Sequence, residues 1–252
     1  MIPYHDENAT QRPAIITVAI IVACTLVWLF VQGAGAATPL ATSVCNFGLI
    51  PGELTQTLAP GAGFPMGEGL VCMADSGRQV SHIVTSMFLH GSWMHLIGNM
   101  WFLWIFGNNI EDSMTRPRFV IFYLVCGLAA AMAQVFSQPN SVMPMVGASG
   151  AISGVMGAYL VLYPRVRVFT LVPLVFFFTT IALPAWAMLI YWIVLQLLGG
   201  FMQFGSKDGG VAFWAHVGGF LAGILLIKPF ARRSNVVARE AGNWSPRHVG
   251  WR

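Results

Sequence analysis

The chain has 252 residues, of which 56% are hydrophobic and 9% charged, and its mean hydropathy is +0.70. Soluble domains carry about 25% charged residues, so this composition excludes an ordinary soluble protein and indicates an integral membrane protein. The net charge of +4 does not point to a nucleic-acid partner, because the basic residues lie at the ends of apolar segments and form no patch with aromatic residues.

The first apolar run covers residues 14–31 and is long enough to span a membrane. A small-residue stretch follows at 34–36 and resembles a signal-peptidase site. Asp6 and Glu7 lie ahead of the run, which is unusual for a cleaved signal. We therefore predict a retained first span, with residues 1–13 as a cytoplasmic N-terminus.

Residues 33–79 form the longest polar connection, which we predict to be an external loop. Cys45 and Cys72 both lie in it, and they could be bridged or free depending on the redox state of the compartment. Cys24 and Cys126 lie in apolar runs and are expected to be packing residues. No CxxC pair is present to suggest zinc or redox chemistry.

Further apolar runs predict the remaining spans. They cover residues 84–106, 119–136, 147–163, 185–204 and 211–227. Residues 168–204 are almost continuously apolar and could hold one span or two.

The distribution of basic residues favours one span there, because one span leaves the basic tail on the same side as most other basic residues. We therefore predict an all-α polytopic protein with six spans and both termini in the cytoplasm. Residues 1–252 form a single domain, 229–252 a basic tail, and 171–183 an interfacial or re-entrant piece. On the inner side lie Arg12, Arg116, Arg118, Arg165, Arg167, Lys228, Arg232, Arg233, Arg239, Arg247 and Arg252, and on the outer side only Arg78 and Lys207.

The fourth span is short. A helix over residues 147–163 covers about 25 Å, whereas the hydrocarbon core needs about 30 Å. We expect its N-terminus to lie below the outer surface, in a cavity that water enters from outside.

That N-terminus carries Ser149 among residues with almost no side chain. A serine needs a base to become a nucleophile, and His216 lies at matching depth in the last span. Small-residue spacings on the two helices predict that they pack closely and bring Ser149 and His216 within hydrogen-bond range. The alternative is that these are helix-packing motifs and the two polar side chains merely bond neighbours. The glycines concerned are Gly147, Gly150, Gly154, Gly157, Gly219 and Gly223.

A tetrahedral intermediate also needs hydrogen-bond donors for its oxyanion. The backbone N–H of Ser149 is one candidate, and His95 and Asn99 share a helix face and supply two more. Alternatively, Asn99 bonds a neighbouring helix and His95 caps backbone carbonyls. His90 and His95 are not expected to bind a metal, because no carboxylate or HExxH motif accompanies them.

The order and spacing of these motifs resemble the rhomboid family of intramembrane serine proteases. The resemblance implies a Ser149 nucleophile with His216 as its only base, an oxyanion hole from His95, Asn99 and the Ser149 backbone, and no cofactor. It also implies that His90 supports the first loop and a cavity water network, and that Glu111 holds the inner end of the second helix. The chain departs from frequent family residues at Ser81-His82, where many members have Trp-Arg, and at Ser153, where some have a tyrosine stacked on the catalytic imidazole.

The resemblance predicts an endopeptidase that cleaves in or near transmembrane segments of membrane proteins, with those proteins and membrane lipid as its partners. The alternatives are a non-catalytic rhomboid-like binder of transmembrane helices and a small transporter. Transport is disfavoured because no acidic residue lies at mid-membrane. We expect a multi-pass protein of a bacterial inner membrane with its site open to the periplasm, and the oligomeric state stays open.

Overall fold

The computed structural model describes residues 2–66, 69–75, 77–173, 178–203, 210–232, 234–240 and 243–248. This part of the chain is mostly helical. Its helices are α1 (Ile15–Leu26), α2 (Ala37–Phe47), α3 (Pro51–Leu54), α4 (His82–Thr85), α5 (Trp93–Phe102), α6 (Asn108–Asp112), α7 (Arg116–Ser137), α8 (Ser149–Leu162), α9 (Ala185–Met202) and α10 (Phe213–Phe230). π-Helical turns extend α1 over Val27–Val31 and join α5 to α6 over Leu103–Gly107.

Among the described residues, three helices are long and apolar enough to cross a membrane, and these are α7, α9 and α10. The stretch from α1 through its π turn and the helix α8 are shorter apolar helices. The helix α8 lies at the centre, buried along most of its length and packed against α7 and α10. Because small residues line these contacts, the backbones approach closely.

The predicted second span begins in the wrong place. The apolar run from residue 84 is broken at Leu89, which is extended, and the helix begins only at Trp93. The side chain of Ser92 accepts a hydrogen bond from the N–H of His95, which is the bond of an N-cap residue. Helix then continues without a break over residues 93–112.

The all-α prediction needs one correction, because the described chain also contains short β-strands. They are β1 (Ile2–Asp6), β2 (Gly63–Pro65), β3 (Val71–Met73), β4 (Arg167–Pro173), β5 (Phe178–Pro184), β6 (Val237–Glu240) and β7 (Asn243–His248). The order of the three-stranded sheet is β1-β4-β5, with both pairs antiparallel. The predicted interfacial piece at 171–183 is thus largely a β-hairpin, paired through β4 with the N-terminus. The predicted outer-side residue Lys207 lies outside the described residues.

The N-terminal strand is fixed to the helices through Asp6, which is 6% exposed. Its carboxyl accepts hydrogen bonds from the Tyr159 hydroxyl at 2.5 Å and from the Asn109 amide at 2.8 Å. Burial raises the pKa of Asp6 from 3.8 to about 7, although the Tyr159 bond favours the charged form. Since Tyr159 belongs to α8, the strand and the central helix share one buried polar contact.

Candidate active site

Ser149 is the first residue of α8 and follows a turn that contains Gly147. Gly147 has φ +123°, a conformation that favours glycine, and its N–H donates to the Ser86 carbonyl at 2.9 Å. A Cβ at this position would lie 2.7 Å from His95 Nε2. The glycine therefore leaves room beside the serine hydroxyl and brings His95 close to it.

The helices α8 and α10 touch through backbone. A Cβ built at Gly219 would overlap the carbonyl of Gly150, and one at Gly223 would overlap the carbonyl of Gly154. Larger side chains would push the helices apart. This contact begins at the residue after Ser149 and sets the level of α10 against α8.

At that level, Ser149 Oγ lies 2.8 Å from His216 Nε2. The other ring nitrogen, Nδ1, lies 2.7 Å from Gln196 Oε1 on α9. An amide oxygen only accepts hydrogen bonds, so Nδ1 carries the proton of the neutral ring. His216 Nε2 is then the acceptor for the serine hydroxyl, which is the arrangement a general base requires.

A second α9 side chain packs against the imidazole. The rings of Trp192 and His216 have centroids 5.7 Å apart at an angle of 43°. Ser153 stands where some family members have a tyrosine, and its hydroxyl donates to the Ser149 carbonyl at 2.6 Å. In this chain it is Trp192 that packs on the His216 ring. The sequence analysis predicts no site role for Trp192 or Gln196. The one available signal was that Gln196 is an amide within an apolar run.

The start of α10 is also hydrogen-bonded to α7. The N–H of Ala215, next to His216, donates to Gln134 Oε1 on α7 at 3.3 Å. Gln134 is buried. An N–H in the first turn of a helix has no intrahelical acceptor, so this amide satisfies it and fixes the height of α10.

The two side chains predicted as oxyanion donors, His95 and Asn99, differ in what they bond. His95 Nδ1 accepts from the Gly91 N–H at 3.2 Å, so its neutral ring carries the proton on Nε2, the atom beside Gly147. Asn99 donates to the His95 carbonyl in its own helix at 2.8 Å. An amide nitrogen carries two hydrogens, so one remains for another acceptor.

His90 is fully buried and supports His95 by ring contact. The two ring centroids are 5.2 Å apart in an edge arrangement. Gln32, at the end of the first helical stretch, bonds both the N–H and the carbonyl of His90, at 2.8 and 2.7 Å. His90 thus links the end of the first helix to the segment ahead of α5.

Glu111 lies at the other end of the molecule from Ser149. Its carboxylate accepts from the backbone N–H groups of Ile16 and Thr17, at 3.0 and 2.8 Å, and from the Thr17 hydroxyl at 2.8 Å. These are orphan amides at the N-terminus of α1. Glu111 therefore joins the end of the 93–112 helix to the start of α1.

The segment between the first helix and α4 is held by a disulfide between Cys45 and Cys72. Nearby, Glu53 is buried and accepts from the Asp75 N–H at 3.1 Å. Burial raises the pKa of Glu53, and the Asp75 bond opposes that shift. His82, in the place of the family's frequent Trp-Arg pair, is buried beside this carboxyl.

Comparison with known proteins matches the rhomboid domain family to residues 77–233, more than half of the chain. Rhomboid protein 1, mitochondrial, of Saccharomyces cerevisiae is 27% identical over 170 residues, which are 64% of this chain and 46% of that protein. RHOMBOID-like protein 5 of Arabidopsis thaliana is 30% identical over 154 residues, 58% of this chain and 44% of that protein. Rhomboid protease GluP of Bacillus subtilis is 36% identical over 78 residues, 31% of this chain and 15% of that protein. The chain spans less than half the length of these three relatives, but the family match covers the predicted site residues, and the chain belongs to the rhomboid family.

Proposed function

We propose that the chain is an intramembrane serine endopeptidase that cleaves peptide bonds in or near transmembrane segments, with Ser149 as nucleophile and His216 as general base. Support comes from membership in a family of intramembrane proteases. The observation that carries the proposal is the 2.8 Å contact between Ser149 Oγ and His216 Nε2. Because His216 Nδ1 donates its proton to Gln196, His216 Nε2 is unprotonated and free to accept the serine proton.

In the acylation step, His216 Nε2 takes the hydroxyl proton as Ser149 Oγ attacks the scissile carbonyl carbon. The tetrahedral intermediate collapses when the C–N bond breaks, and His216 returns the proton to the leaving amine. Water then attacks the acyl-enzyme, again with His216 as base, and releases the second product and the free serine. No cofactor is needed at any step.

The negative oxygen of the intermediate needs donors that are already in place. The N–H of Ser149 lies at the N-terminus of α8, where the helix dipole favours negative charge. His95 Nε2–H is the side-chain donor best placed, since that nitrogen faces the glycine turn ahead of Ser149. Asn99 contributes its remaining hydrogen in this proposal.

The same proposal includes six spans in one domain over residues 1–252 of a bacterial inner membrane, both termini in the cytoplasm and a site open to the periplasm. Support comes from five apolar helices of the described chain, which are α1 with its π turn, α7, α8, α9 and α10, and from the continuous helix over residues 93–112. The helix α8 has 14 residues and is about 21 Å long, so it is shorter than the roughly 30 Å hydrocarbon core. Ser149 at one end of α8 would thus lie below the surface.

Labelling of the purified protein with a fluorophosphonate tests the chemistry directly. Wild type should react, and Ser149→Ala and His216→Ala should not. Ser43→Ala is the matched serine control, because its hydroxyl is bonded to the Leu40 carbonyl away from the site. His5→Ala is the histidine control, stacked on Phe169 in the sheet.

Cleavage of a transmembrane substrate in liposomes tests the biological reaction. Wild type should release two fragments, and the Ser149→Ala protein should release none. A folded wild type that neither labels nor cleaves would overturn the protease proposal and favour the non-catalytic binder of transmembrane helices.

A further inference from the structure

The proposed base His216 is held by two side chains of α9. Gln196 and Trp192 lie one turn apart on α9, so they share a face of that helix. One bonds the imidazole Nδ1 and the other packs on its ring. We propose that Gln196 is a positioning residue that fixes the tautomer and the orientation of His216, with Trp192 limiting the tilt of the ring.

The orientation of the Gln196 amide follows from its second contact. Its Nε2 faces the Trp192 carbonyl at 3.5 Å, one turn back in α9. The reverse orientation would set the amide oxygen against that carbonyl oxygen and turn the NH₂ group towards His216. His216 Nδ1 would then have to accept, and Nε2 would carry the proton and be useless as a base.

The structure offers His216 no carboxylate for this task among the described residues that contact it. Its ring nitrogens contact Ser149 and Gln196, and its ring packs against that of Trp192. In the Ser-His-Asp arrangement, a carboxylate holds the imidazole in the correct tautomer. Here a neutral amide makes the same Nδ1 contact, without adding a charge.

Trp192 is itself held in place. Its ring also packs against Phe220, with centroids 6.1 Å apart, on the turn of α10 that follows His216. Towards the start of α10, a Cβ at Gly199 would overlap the ring of Phe213, so α9 and α10 are also close there. The position of α9 against α10 therefore decides whether both groups reach the imidazole.

This inference rests on the proposed function, and kinetics of the full chain in liposomes test it. Gln196→Leu keeps the volume but removes the acceptor, so kcat should fall about 10- to 100-fold with KM within about twofold, since general-base catalysis contributes about 10²–10⁴-fold. Gln196→Glu keeps an acceptor oxygen and should retain kcat within about threefold of wild type. Leu195→Ala, on the exposed face of α9, is the control and should match wild type.

A spectroscopic readout separates orientation from folding. With selective ¹⁵N-histidine labelling, the His216 signal, assigned by its loss in His216→Ala, should show a protonated Nδ1 in wild type and in Gln196→Glu. In Gln196→Leu it should show a mixture of tautomers, while the thermal midpoint changes little.

The outcomes distinguish this inference from the proposed function. An active wild type whose kcat and ring-nitrogen spectrum are unchanged in Gln196→Leu would overturn the role of Gln196 and leave the protease proposal intact. If wild type itself neither labels nor cleaves, the protease proposal fails, and the nitrogen spectrum alone then decides whether Gln196 fixes the tautomer.

Discussion

The stability of this protein should fall as pH rises from about 4 to about 7, because Asp6 is buried at the end of the N-terminal strand. Its pKa is raised from 3.8 to about 7, so the folded state holds this proton more tightly than the unfolded chain. As pH rises, the unfolded chain releases this proton first. The free energy of unfolding therefore falls until about pH 7, where the folded protein releases it as well. At about 1.4 kcal/mol per pKa unit, the full loss is about 4 kcal/mol.

Asp6→Asn should remove this dependence, since its amide oxygen can still accept from Tyr159 and Asn109. Unfolding in detergent, by heat and by denaturant titration, at pH 4.5 and pH 8 measures the difference between the two proteins. Between these two pH values the variant should gain about 3 kcal/mol of stability relative to wild type, because part of the full loss has already occurred at pH 4.5. Glu53 also titrates, but it does so in both proteins, so its contribution cancels in the difference between their free energies of unfolding. A difference that is the same at both pH values would refute the reasoning.

Three further changes probe a helix contact beside Ser149 and two contacts elsewhere in the structure. Gly219→Val should abolish cleavage, because its side chain would overlap the Gly150 carbonyl, while Leu221→Val on the exposed face should stay active. Cys45→Ser should lower the free energy of unfolding by about 3.5 kcal/mol for a loop closed by cysteines 27 residues apart, and reductant should lower the thermal midpoint of wild type only. Glu111→Ala should cost about 3 kcal/mol in the same unfolding assay, with Glu111→Gln intermediate, because the carboxylate satisfies three donors of α1.

The long helices were predictable from the sequence because an apolar run of sufficient length leaves few alternatives. The helices α7, α9 and α10 begin and end within three residues of the predicted spans. The start at Trp93 was missed because hydropathy does not register a cap, and apolar residues continue across the break. The β4-β5 hairpin was missed because a short apolar run fits a strand as well as a buried helix.

Ser149 and His216 could be selected from the sequence because each lies beside glycines at the same depth of a predicted helix. Their 2.8 Å contact depends on backbone packing of α8 against α10, which only the structure gives. Gln196 had no comparable signal, since its partner lies 20 positions further on and on another helix. Polar residues that act through a distant partner leave no local pattern.

An amide in place of a carboxylate fits the position of residue 196 in the fold. The helix α9 is apolar enough to cross a membrane, and most of its large side chains are exposed on the surface of the bundle. A charged residue at the centre of such a helix costs about 2.5–3.5 kcal/mol on insertion scales. A glutamine supplies the Nδ1 acceptor at a lower desolvation cost, but it stabilises an imidazolium less than a carboxylate does. In the proposed mechanism a base held this way depends on geometry more than on charge, and the close packing of α8, α9 and α10 around His216 keeps its Nε2 directed at Ser149.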